Sequence, residues 1–133
     1  MRPSLKKGFS IIELIFVIAV LGIIAAVAVP KLMDSRSSAI VTTIKQDIST
    51  ITTSIQSYRM INNKIEKISD SVNINDNTWI VNDLKVEFVS EDNNCINIEI
   101  VTSKLNVKID KDSSTVCQKL YDSGVRDVSY ELY

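Results

Sequence analysis

The chain has 133 residues, 45% of them hydrophobic and 23% charged, with 15 basic against 16 acidic residues and a formal net charge of −1. That length holds one domain, or one domain and an anchor, and the balanced charge argues against direct nucleic-acid binding driven by bulk positive charge. With no histidine, two cysteines and three glycines, the chain has no Ser-His-Asp triad, no four-thiolate metal site and no glycine-rich phosphate loop. Not an enzyme but a binding, structural or assembly protein is expected, with no cofactor.

The averages conceal a segregated chain. Residues 1–8 carry Arg2, Lys6 and Lys7 and no acid. Residues 9–29 are apolar except for Ser10 and Glu13, and from Lys31 onward the sequence is polar and mixed in charge. Residues 62–133 hold 8 basic and 13 acidic residues. Twenty-one helical residues rise about 31 Å, the thickness of a bilayer core. A segment apolar on all sides reads as a membrane span rather than a one-sided core helix. The basic residues before it place the N-terminus in the cytoplasm and the rest of the chain across the membrane. The apolar run is too long for an ordinary cleaved secretory signal, though an uncleaved signal-anchor fits. An acid at the centre of such a span costs about 3 kcal/mol, and less near an edge. Glu13 therefore either snorkels to the interface or requires a cation from another chain.

Lys7-Gly8-Phe9-Ser10-Ile11-Ile12-Glu13-Leu14, together with the basic leader and the apolar run, resembles the prepilin signal of type IV pilins and type II secretion pseudopilins. The resemblance spans residues 5–32 and includes Pro30. It implies that a prepilin peptidase cuts between Gly8 and Phe9, removing a leader of residues 1–8, and that the new Phe9 amine is N-methylated. It further implies that the helix rests in the inner membrane, meets an inner-membrane assembly platform, and bundles with copies of itself or homologous subunits in a filament. Glu13 then pairs with the Phe9 amine of a neighbouring subunit. Read without the resemblance, Gly8 is simply a loop glycine before a helix.

The remaining residues are read from pattern. Pro30 lacks an N–H and is expected to kink or loosen the helix near Ala26. Beyond it, Ile40, Ile44, Ile48, Ile51, Ile55 and Tyr58 recur on one helical face, fitting a helix laid on a sheet or, alternatively, a coiled coil. Asn62-Asn63 is a stop signal, so the helix is expected from about Phe9 to Ile61, with residues 30–61 as its amphipathic half. Residues 62–83 read as a polar connection in which Trp79 tucks into the core. Alternation marks three strands, at 84–88, 96–100 and 105–109, with a turn at Glu91-Asp92-Asn93-Asn94. Val128, Tyr130 and Leu132 suggest a fourth.

Asp110-Lys111-Asp112-Ser113-Ser114 opens like a calcium loop, but Thr115 stands where the sixth-position glycine belongs and Tyr121 where the twelfth-position carboxylate belongs. A solvated turn is the default, followed by a short helix capped by Ser114 or Thr115 and stopped near Gly124. Cys95 and Cys117 lie on the inferred oxidising side, where one disulfide is the simple reading and two buried free thiols the alternative.

The expected fold is α+β: a long N-terminal helix packed on a three- to four-stranded antiparallel sheet spanning residues 62–133. The expected function is that of a filament subunit serving type II secretion, DNA uptake or a surface pilus. A single-pass membrane-anchored periplasmic binding or adhesion protein is the alternative from another class.

Overall fold

A computed structural model describes residues 7–133, so most of the predicted leader lies outside the described residues. The chain forms two compact units, one ending at Arg36 and one comprising Ser37–Tyr133. A single helix, α1 (Ile11–Asn62), contributes to both. It starts two residues later than the sequence suggested. Ser10 is the reason: its side-chain oxygen accepts from the Glu13 N–H at 3.3 Å and its carbonyl from the Leu14 N–H at 3.1 Å, which makes it the cap rather than a helical residue. Helical structure continues through Pro30, which offers no N–H to the Ala26 carbonyl. At the far end Asn63 takes a left-handed φ of 57° and returns its N–H to the Arg59 carbonyl, a C-terminal stop that asparagine tolerates well.

The second unit is an antiparallel meander of five strands in the order β1 (Trp79–Val81), β2 (Lys85–Ser90), β3 (Asn93–Val101), β4 (Lys104–Ile109) and β5 (Val128–Glu131). The sequence suggested three or four strands. The additional one is β1, whose three residues are too few to alternate visibly yet pair in register with Val86–Phe88. The β2–β3 connection is the two residues Glu91 and Asp92, both at positive φ, 54° and 62°. That is the pairing a type I′ hairpin demands.

Val41, Ile44, Ile51 and Ile55 of α1 are buried together with Ile68, Trp79, Val86, Ile96, Ile98, Leu105 and Val107. Of the predicted helix face, Ile44, Ile51 and Ile55 are buried and Ile48 and Tyr58 half-buried, while Ile40 gives way to Val41. Val41 is 7% exposed and Ile40 36% exposed, because the contact stripe at that level is centred one residue later. Trp79 is 1% exposed, packs against Phe88 at 5.6 Å between ring centroids, and donates from Nε1 to Asp47 Oδ2 at 2.9 Å. Asp47→Ala leaves that buried N–H without a partner and is expected to cost about 1–3 kcal/mol. The chain has one tryptophan, so its emission during urea unfolding measures the loss directly.

Helix α2 (Thr115–Asp122) follows β4. Ser114 caps it by accepting from the Cys117 N–H at 3.2 Å. At its other end Gly124, with φ 109°, donates to the Tyr121 carbonyl while Val125 donates to the Leu120 carbonyl. These two bonds form a Schellman motif, whose left-handed position glycine supplies at little steric cost. Ahead of α2, Asp110 Oδ1 accepts from the Asp112 N–H at 3.1 Å, so this carboxylate closes the turn that the sequence likened to a calcium loop.

Candidate functional site

The N-terminal segment is set apart by what it leaves uncovered. Phe9 is 83% exposed, Ile11 80%, Phe16 69% and Ile23 70%, and no residue from Lys7 to Arg36 is buried. Its mean hydropathy reaches 3.0 over eighteen residues, long and apolar enough to cross a membrane. An exposed apolar surface of this extent calls for lipid or other protein to cover it.

Gly8 and Phe9 lie in irregular backbone before α1, and both are exposed. The Gly8–Phe9 bond thus lies outside the helix in an accessible stretch. Glu13 occupies the first turn of α1, where a carboxylate complements the positive end of the helix dipole. The Ser10-x-x-Glu13 spacing is also the pattern of a capping box. It is a signal in the sequence that reading Glu13 for its charge alone passes over. Pro30 lies seventeen residues after Glu13, exposed on the helix.

Cys95 and Cys117 form a disulfide, with 5.7 Å between their Cα atoms and both side chains buried. Simple alternation puts Cys95 on the face opposite Ile96. The structure corrects this. The β2–β3 register shifts between Phe88, which faces Ile96, and Val89, which faces Asn94. This bulge leaves Cys95 as the additional residue, and Cys95 and Ile96 are both buried. The disulfide thus joins β3 to α2 within the core.

The Lys104–Glu131 ion pair ties β4 to β5, whereas the Lys85–Glu87 pair lies within β2. Lys104 Nζ lies 2.9 Å from Glu131 Oε1 and Lys85 Nζ 2.8 Å from Glu87 Oε1. The hydrogen bond to each carboxylate raises the lysine above its ordinary value. Their small stabilisation is present below the unfolded lysine pKa and is lost as pH rises through the folded one. Glu66 is lowered by its hydrogen bond to Lys64, so that contribution fades in acid instead. Among the described residues no cluster of three or more acidic, histidine or cysteine side chains is arranged to hold a metal ion.

Two functional candidates escaped the sequence reading: Lys45 on α1 and Arg126 after α2. They line one open groove with Thr53, Gln56, Val128 and Tyr130. No motif marks them, because residues 81 positions apart meet only in the folded domain.

Comparison with known proteins agrees with the N-terminal geometry. The prokaryotic N-terminal methylation motif matches residues 3–29. The type II secretion system core protein G of Pseudomonas aeruginosa is 37% identical over 62 residues, covering 47% of this chain and 44% of that protein. The core protein G of Klebsiella michiganensis is 30% identical over 64 residues, 48% of this chain and 45% of that protein. The type IV major fimbrial protein FimA of Dichelobacter nodosus is 31% identical over 64 residues, 48% of this chain and 40% of that protein. The chain therefore spans less than half the length of these relatives, and no solved structure matches it. The matched N-terminus is similar to those of type IV pilin-like proteins. Its named relatives include both secretion and fimbrial proteins.

Proposed function

We propose that this chain is a structural subunit of a type IV pilus-like filament, of the pseudopilin or minor-pilin kind, serving type II protein secretion or DNA uptake. The observation that carries this reading is the methylation motif running directly into an apolar helical segment that the single chain leaves exposed. A bilayer covers that segment before assembly, with the N-terminus in the cytoplasm and residues 37–133 in the periplasm. Neighbouring helices cover it afterwards. Glu13 enters the same apolar bundle, and its carboxylate pairs there with the methylated Phe9 amine of an adjacent copy. A prepilin peptidase frees that amine by cutting after Gly8, and an inner-membrane platform feeds the processed chain into the filament. Pro30 loosens the helix where it leaves the membrane.

Processing is the first test. Intact-mass analysis of the membrane form is expected to show loss of residues 1–8 and gain of one methyl group. Gly8→Val places a branched side chain at the scissile bond and is expected to leave almost all of the chain at its unprocessed mass. An unprocessed wild-type chain in cells holding an active prepilin peptidase overturns the reading and favours the membrane-anchored binding protein. Uptake of labelled DNA into a nuclease-protected state, with and without the chain, then separates a DNA-uptake filament from a secretion filament.

A further inference from the structure

Lys45 and Arg126 line an open groove of about 460 Å³ between α1 and the β4–β5 edge. Lys45 Nζ donates to the Ser123 carbonyl at 2.9 Å. The Arg126 guanidinium stacks on the Tyr121 ring at 3.6 Å and donates to the Tyr121 and Val125 carbonyls. Both cations are thereby held at the C-terminal end of α2, yet lysine has three donors and arginine five, so each has donors left over. Neither pairs with a carboxylate among the described residues, and no acid lines the groove.

The one pair of consecutive acids in the sequence, Glu91-Asp92, is at the β2–β3 turn. Glu91 and Asp92 are adjacent, exposed and also without an ion pair among the described residues. Within one copy the two sites cannot meet. The turn is anchored beside the start of α2, through Asn93 Nδ2 and the Ser113 carbonyl at 3.2 Å, whereas the groove lies at the helix's other end. Eight residues of helix separate the two ends, about 12 Å. From β2 to β5 there are three strand spacings, about 14 Å in all. A two-residue turn does not bridge either distance.

We propose that the Lys45–Arg126 groove receives the Glu91-Asp92 turn of a second copy of this chain. The two surfaces differ, so the contact is head-to-tail and propagates from copy to copy. This rests on the filament reading above, and adds to it a recognition surface outside the apolar helix.

The test uses the full chain in cells that assemble it. A photo-crosslinking amino acid replaces Gln56 in the groove, and sheared filaments are illuminated and digested. The expected product is a dimer joined to the peptide holding Glu91 and Asp92. Glu91→Gln with Asp92→Asn, a near-isosteric change on an exposed turn, is expected to lower that product at least about tenfold. Reversing both sides in one chain, Glu91→Lys and Asp92→Lys with Lys45→Glu and Arg126→Glu, is expected to restore it. Filaments whose crosslink maps elsewhere, or is unchanged by neutralising the turn, overturn the docking proposal and leave the filament reading standing. Wild-type chain that stays monomeric in the membrane overturns both.

Discussion

A Glu13→Leu chain is expected to insert and to be processed like wild type, but to enter filaments at least about a hundredfold less efficiently. Insertion gains from the change, because a carboxylate near a span costs up to about 3 kcal/mol and leucine costs nothing. Assembly loses. Removing one member of a buried ion pair strands the other, a penalty of about 3–5 kcal/mol, and each 1.4 kcal/mol is tenfold in an equilibrium. Glu13→Gln retains a hydrogen-bond acceptor and should fall between the two. The measurement is the ratio of chain in sheared filaments to chain in the membrane, with the processed mass confirmed for each variant. Wild-type incorporation of Glu13→Leu would overturn the pairing of this carboxylate with a neighbouring amine.

Loss of the Cys95–Cys117 disulfide is the second large effect. It joins β3 to α2 across a sequence separation of 22 residues, and a closed loop of that size is worth about 3 kcal/mol. For a unit of this size each kcal/mol shifts Tm by about 4–8 °C, so reduction is expected to lower Tm by roughly 12–24 °C. The experiment is a melt of the detergent-solubilised full chain, followed by Trp79 emission with and without dithiothreitol. The Cys95→Ala, Cys117→Ala double variant should melt near the reduced wild type and ignore the reductant. Alanine is preferred to serine because both positions are buried, and an unpartnered hydroxyl there would add its own penalty. A melt indifferent to reductant would contradict this account of how β3 and α2 are held.

The small core explains why the staple matters. Burial in the second unit rests on a single helix face, one sheet face and α2, with the opposite sheet face carrying polar residues such as Glu87, Asn97 and Lys108 in one cross-strand row. One-sided burial is ordinary for antiparallel sheets, but it leaves a modest apolar area to offset chain entropy.

Much of this protein was legible as local pattern. The apolar run over residues 9–29, the Gly8-Phe9…Glu13 order, the isoleucine period along α1 and the alternation in β2, β3 and β4 are each properties of contiguous residues. Local rules of helix and strand geometry act on such stretches directly. The Ser114 cap and the Gly124 stop of α2 belong to the same kind of signal. What the tertiary structure decided depends on residues distant in sequence. Three residues at Trp79–Val81 become a strand only because β2 presents an edge to pair with. Cys95 turns inward only because a register shift against Val89 and Asn94 breaks the alternation. Val41 replaces Ile40 in the core because the helix must meet a particular sheet face, which the helical period alone does not specify. The charge separation between the Lys45–Arg126 groove and the Glu91-Asp92 turn exists only once α2 and the sheet are in place, since only packing holds at one end of a helix two cations, and beside the other two acids, that have no ion pair among the described residues.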